Sequence, residues 1–129
     1  GRDAVNWNFT NDRPIYLQLI EQLEREIASG ALKPGSWMPP VRELAGKMGI
    51  SPNTVQRAMY EMERSGLLIS RGTEGKTVTE DTVQIESIRQ DLARQTLEAF
   101  YREMSRLGFT KEQSLQLAET FSRSADREE

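Results

Sequence analysis

PPVRELAGKMGISPNTVQRAMYEMERSG, residues 39–66, decides how this chain folds. Val41, Leu44, Ala45 and Met48 recur at three- and four-residue steps, the spacing of one face of a helix from about Pro40 to Met48. Gly49 stops that helix. Ile50 follows, and Ser51-Pro52 then supplies a capping hydroxyl followed by proline at the first helical position. The next helix runs to about Ser65 with Val55, Ala58, Met59 and Met62 inward, and Gly66 ends it. Two helices joined by a tight turn make a helix-turn-helix.

The flanks extend this unit in both directions. Upstream, Pro14 opens a helical pattern in which Ile15, Leu19, Leu23 and Ile27 repeat every four residues, widened by Tyr16 and Ile20, with Gly30 as the stop. Residues 32–40, LKPGSWMPP, read as turns. Downstream, Leu67, Leu68 and Ile69 form a short strand, RGTEGK a glycine-containing loop, and TVT at 77–79 the returning strand. A hairpin behind a helix-turn-helix is a wing. The fold class is therefore mainly α with a small β-hairpin. It divides into an arm at 1–13, with Val5, Trp7 and Phe9 alternating along it, a winged helix-turn-helix at 14–79, and a two-helix region at 80–129.

In that last region Ile85, Ile88, Leu92, Ala99, Phe100, Met104 and Leu107 stripe one long helix from about Asp81. Gly108 breaks it, and Thr110 with Gln113 three residues on makes a capping box. The second helix carries Leu115, Leu117, Ala118 and Phe121, and the final SADREE frays. Fifty residues do not enclose a ligand pocket of ordinary size. Ile88, Leu92, Phe100, Met104, Leu107 and Phe121 are expected to form a homodimer, two helix pairs closing about a two-fold axis; the alternative is that the tail helices pack on their own head. A small-molecule effector lodged between chains near Phe100, Tyr101 or Met104 is left open.

Composition bounds the chemistry. There is no cysteine and no histidine, which excludes thiol catalysis, thiolate or imidazole metal sites and a Ser-His-Asp triad. Glu61 and Glu63 stand two apart and share no helix face, so no carboxylate pair suggests an enzyme. No cofactor is expected, no run is long enough to span a membrane, and the lack of cysteine suits a cytoplasmic protein. The net charge is -3, but residues 14–79 carry a net +1 and residues 80–129 a net -4. The reading head is slightly basic and the tail holds the negative excess.

The first turn of the helix after Ser51 exposes Ser51, Asn53 and Thr54, followed outward by Gln56 and Arg57. Recognition helices enter the major groove of double-stranded DNA by this end, amides pair with adenine, and a threonine meets phosphate or a thymine methyl. Capping accounts for Ser51 as well. Arg42 near a helix start is usually only solvated, and the helix dipole does not favour it there. A winged helix that binds another protein without touching DNA is the alternative use of such a fold.

The segments PIYLQLIEQLEREIASGALKPGSWMPPVRELAGKMGISPNTVQRAMYEMERSGLL and RGTEGKTV resemble the GntR family of bacterial transcription regulators, and SPNTVQRAMYEMERSG looks like its YtrA-type subfamily. The resemblance covers residues 14–79; the tail is similar in length and pattern only. It implies a repressor that binds a palindromic operator as a dimer, with a transporter operon as the target. It places the main phosphate or base contact on Arg42, recognition positions on Ser51, Pro52, Asn53, Thr54 and Gln56, and wing contacts on Arg71 and Gly72. Two departures stand out. Pro40 replaces the serine of a Leu-Pro-Ser-x-Arg run, which removes a cap. Thr77 replaces the aromatic of a Gly-Thr-Phe-Val wing, which predicts weaker wing packing, with Lys76 compensating as a phosphate contact.

Overall fold

Residues 8–128 are described by a computed structural model of the chain, with side chains to residue 125. The elements are α1 (Ile15–Ser29), α2 (Val41–Met48), α3 (Pro52–Arg64), β1 (Leu68–Ser70), a single 3-10 turn (Gly72–Glu74), β2 (Lys76–Val78), α4 (Thr82–Arg106) and α5 (Lys111–Glu128). They form two compact units that meet inside α4, one ending at Arg89 and the other starting at Gln90.

The first unit is built on α3. Its Val55, Ala58, Met59 and Met62 are buried against Leu19, Leu23 and Ile27 of α1 and Leu44, Ala45 and Met48 of α2, in a core closed by Met38, Leu67, Leu68 and Val78. These are the inward positions that the periodicities predict. Burying such side chains contributes about 1.5–3 kcal/mol each relative to exposure, so the helices assemble because each carries one apolar face.

Glycine ends α1 and α2 where the sequence places it. Gly30 and Gly49 adopt φ of 88° and 69°, the left-handed backbone that side chains with a Cβ avoid.

The wing differs in detail from its sequence reading. Leu68 pairs antiparallel with Val78, Ile69 with Thr77 and Ser70 with Lys76, one residue further along than the first strand read from sequence. The turn-rich segment before α2 also joins the sheet. Trp37 bridges Thr77, the Met38 amide donates to the Lys76 carbonyl at 2.8 Å, and the Val78 amide donates to the Ser36 carbonyl at 2.9 Å. β2 is thus paired on both sides. Prolines at 39 and 40 allow this pairing to run for only a few residues.

The arm is described only from Asn8, so Val5 and Trp7 lie outside the described residues. Phe9 is half-buried against the core. Residues 10–13 bend onto α1 instead of extending, because buried Gln18 donates from Nε2 to the carbonyls of Thr10 and Arg13, at 2.9 and 2.8 Å. Arg13 then forks onto Glu21.

Ile85 and Ile88, in the first turns of α4, are half-buried on the same core. The hydrophobic stripe assigned Ile88 to a dimer face; in the chain it packs on the head.

In the second unit Gly108, at φ 94°, separates α4 from α5. The capping box forms as read: the Thr110 amide donates to Gln113 Oε1 at 2.9 Å and the Gln113 amide to Thr110 Oγ1 at 3.0 Å. Ser114 is the one buried residue among those described beyond Gln90. α4 and α5 do not pack along their lengths, and Leu97, Leu107, Leu115, Leu117 and Phe121 are all exposed.

Glu24 of α1 gives a pH-dependent check on this packing. Burial raises its carboxyl above the ordinary value, and the neighbouring Glu21 adds to the shift. A carboxyl whose folded pKa lies above the unfolded one costs stability at neutral pH, and the cost fades as pH falls through both values. Glu24→Gln is therefore expected to melt higher than the parent at pH 7, with the gain shrinking toward pH about 4, the ordinary carboxylate range. Thermal unfolding at both pH values checks this; an equal gain at each would contradict it.

Candidate nucleic-acid interface

The turn between α2 and α3 is short because Gly49 reverses the chain and the Ile50 amide donates back to the Ala45 carbonyl at 3.1 Å. Ser51 then caps α3, its Oγ accepting from the Thr54 amide at 3.2 Å. The Thr54 hydroxyl lies 2.9 Å from the same Oγ. Ser51 and Thr54 are thus occupied with each other, and Pro52 fills the first helical position without needing an acceptor.

Asn53 and Gln56 are exposed and, among the described residues, have no side-chain hydrogen bond. The buried set of α3 defines the opposite face, where Asn53, Arg57, Tyr60 and Arg64 follow at helical steps. Tyr60 is exposed there, and nothing in the periodicity had singled it out.

Arg42 stands exposed in the first turn of α2 with no partner among the described residues. Pro40, in place of a capping serine, precedes the helix with an extended backbone and supplies no side-chain bond. The fold survives the substitution, and the missing cap leaves the amides at this end without a side-chain acceptor.

Among the cations of the arm and head, some are held by carboxylates and some by neutral groups. Arg13, Arg64 and Lys76 are paired with Glu21, Glu61 and Glu63. Arg57 and Arg71 are held by neutral groups instead. The Arg57 guanidinium lies 3.8 Å from the centre of the Tyr16 ring and donates to its hydroxyl at 3.2 Å. Arg71 donates from Nε to Thr77 Oγ1 at 3.0 Å. A carboxylate partner cancels most of a cation's field; a ring or a hydroxyl orients it and leaves the charge intact.

Lys76, expected from the sequence to contact phosphate, is paired within the chain. Its ammonium lies 2.7 Å from Glu63 Oε1, so it fastens β2 to the far end of α3. A phosphate contact would have to share or displace that carboxylate.

The wing tip is exposed. Gly72 opens it at φ 65°, and Gly75 closes it at φ 116° and ψ -151°. A Cβ on Gly75 would stand 3.8 Å from the Trp37 ring. Thr77 is buried although it lacks the family's aromatic side chain. Trp37 bridges Thr77 through the backbone on the side of β2 away from β1 and remains exposed. Glu74, three residues after Arg71, sets a negative charge at the tip.

In the second unit Leu92, Phe100 and Met104 are half-buried, while Leu107 and Phe121 are 72% and 76% exposed. Phe100 and Tyr101 stack tilted, with centroids 5.3 Å apart. Among the described residues no group of three potential metal ligands occurs, and no helix is long and apolar enough to cross a membrane.

Comparison with known proteins agrees with this arrangement. Residues 15–78 match the family described as bacterial regulatory proteins, gntR family. The chain is 37% identical over 114 residues to the HTH-type transcriptional regulator YhcF of Bacillus subtilis, covering 88% of this chain and 94% of that protein. It is 35% identical over 94 residues to the transcriptional repressor YtrA of the same organism, covering 68% and 72%. Among solved structures, a GntR family transcriptional regulator from Listeria monocytogenes superposes with a TM-score of 0.75 at 39% identity, covering 87% of this chain and 98% of that one. The DNA-binding domain of AraR, solved in complex with its operator ORX1, superposes with a TM-score of 0.53 at 27% identity, covering 56% and 93%.

Capping at Ser51 is separable from any role in binding. Ser51→Ala is expected to destabilise the chain by about 1 kcal/mol, whereas Ser51→Asp, which keeps an acceptor, costs much less. Denaturant unfolding without nucleic acid measures both, and equal losses would rule out the cap as the cause.

Proposed function

This chain belongs to the gntR family of bacterial regulatory proteins, and on that premise we propose that it is a sequence-specific transcriptional repressor of the YtrA-type subfamily, acting in the cytoplasm and gripping a palindromic operator as a homodimer. One observation carries the reading: Arg42 in the first turn of α2, and Asn53 and Gln56 at the capped start of α3, are exposed and, among the described residues, without a side-chain partner. That is where a recognition helix meets the major groove. Amide side chains kept free of internal bonds are available to the paired donor and acceptor of an adenine edge. Ser51, Pro52 and Thr54 hold the end of the helix in shape, and Arg57, Arg71 and Gly72 flank it at the phosphates. The AraR domain, with the same core fold, is seen on its operator, which supports this use of the head. The resemblance to YtrA supports repression; a transporter operon as the target rests on the subfamily resemblance.

The tail supports dimerisation. Among the described residues its second unit buries no apolar side chain, yet leaves Leu97, Leu107, Leu115, Leu117 and Phe121 exposed. Apolar surface of that kind on a soluble chain marks a contact. A second copy presents the same stripes, and Leu92, Phe100, Met104, Leu107 and Phe121 are the residues we assign to it.

Two outcomes are expected. Asn53→Ala or Gln56→Ala changes the bases preferred in sites selected from a random library, by about 1–3 kcal/mol for a lost bidentate contact, while Arg42→Ala weakens every duplex if it grips phosphate. Unaltered selected motifs and isotherms would refute this assignment of the head. For the tail, the intact chain should sediment as a dimer. A chain stopped after Gln90, which retains Ile85 and Ile88 on the core, should sediment as a folded monomer with half-site affinity little changed and full-site affinity collapsed toward it. A monomeric intact chain would refute the dimer.

A further inference from the structure

Arg57 and Tyr16 come from helices 41 residues apart in sequence and meet at the outward edge of α3. Arg57 follows Asn53 by one turn on the face opposite the core. Its guanidinium rests on the Tyr16 ring and spends one N–H on the Tyr16 oxygen. Guanidinium has five N–H donors in a fixed fork, so four remain. Because the Tyr16 oxygen accepts in this bond, its own O–H proton is left to be donated elsewhere, and among the described residues it finds no acceptor. Among the described residues no carboxylate pairs with Arg57, and the first turn of α1 contains no acidic residue. Two neighbouring side chains thus present several donors, a full positive charge and no acceptor.

We propose that Tyr16 and Arg57 act as one phosphate-binding unit on the nucleic-acid backbone beside the recognition helix. Tyr16 has two parts in it. Its ring holds the guanidinium in place, which limits the rotamer freedom Arg57 would lose on binding. Its hydroxyl, polarised by the guanidinium behind it, donates to a phosphate oxygen that the guanidinium also contacts. The unit positions the helix and reads no base. Its neutral tether distinguishes it from Arg64, which lies on the same face of α3 with its charge spent on Glu61. The proposal rests on the DNA-binding reading of the head and adds to it a residue of α1.

The test uses the full-length chain and two duplexes, one selected by the protein from a random library and one scrambled at equal length. Binding is measured across a salt series for the parent, Tyr16→Phe, Arg57→Gln and the double variant, with the melting temperature of each. Arg57→Gln should weaken binding to both duplexes and lower the slope of log K against log salt by about one per subunit. Tyr16→Phe keeps the ring and the charge. It should cost about tenfold on both duplexes, with the salt slope and melting temperature unchanged. In the Arg57→Gln background, Tyr16→Phe should cost markedly less, since the two act as a unit. Parental binding by Tyr16→Phe, losses that simply multiply, or a loss that follows a lowered melting temperature would each overturn the proposal. A parent chain that holds neither duplex at any salt would instead overturn the DNA-binding reading, and this inference with it.

Discussion

Burial of one face of α3 is the constraint on which the rest of the head depends. Val55 and Ala58 are fully buried, and Met59 and Met62 nearly so. Alanine at 58 takes little room, which lets neighbouring helices come close, while the methionines adapt to the irregular space between α1, α2 and the wing. With that face fixed, a period of 3.6 residues leaves no choice about which side chains point out. Asn53, Gln56 and Arg57 face solvent because Val55, Ala58 and Met59 cannot. The cap at Ser51 fixes where the helix begins, and therefore which of its residues reach furthest. Stability and presentation of the interface are consequences of the same packing.

Electrostatics then sorts the cations that the packing has placed. A chain with net charge -3 and a head of only +1 has little general attraction for a polyanion. Position has to do what quantity does not. Salt bridges spend Arg13, Arg64 and Lys76 on glutamates, where they hold the arm, the end of α3 and the base of the wing. Arg42, Arg57 and Arg71 keep their charge. Two of the pairs tie elements together, the arm to α1 and β2 to α3, while Arg57 on α3 and Arg71 at the wing keep their charge beside the exposed face of α3 and the wing tip. Exposed ion pairs contribute at most about 1 kcal/mol each, so the paired set matters more for geometry than for stability.

Much of this was legible in the sequence because it is local. The cap at Ser51, the glycine stops at 30 and 49 and the Thr110–Gln113 box are written within four residues of where they act. The inward faces of α1 to α3 follow from period alone. What the sequence hid are pairs distant along the chain. Nothing local says that Trp37 will bridge Thr77, that Lys76 will find Glu63, or that Arg57 will rest on Tyr16. A segment rich in Pro and Gly reads as turns even when three of its residues add an edge to a sheet. The stripe through α4 misled in a different way. It is continuous in sequence, but the chain uses its start, Ile85 and Ile88, for the head core and leaves the remainder open. A period reports that a face is apolar; it does not report what covers it.

That split of α4 bears on how the two units depend on each other. The first unit has a closed core of its own and does not need the second to bury it. Among its described residues the second unit has one that is buried, a serine at its turn, and apolar side chains exposed on both helices. Ordering its residues costs about 1–2 kcal/mol each in backbone entropy, and within one chain little burial offsets that cost. Its helices therefore lack cover within the chain, and the proposed homodimer would supply it as matching stripes in an isologous contact. In that dimer, fold and assembly would be one equilibrium for the tail while remaining separate for the head. A dimer of the proposed kind could keep a modest affinity in each head, since two heads joined through the tail would act at high effective concentration on a two-fold site. The weak positive charge of the head would then limit retention on arbitrary DNA, and the joined tails would restore affinity where two half-sites are correctly spaced.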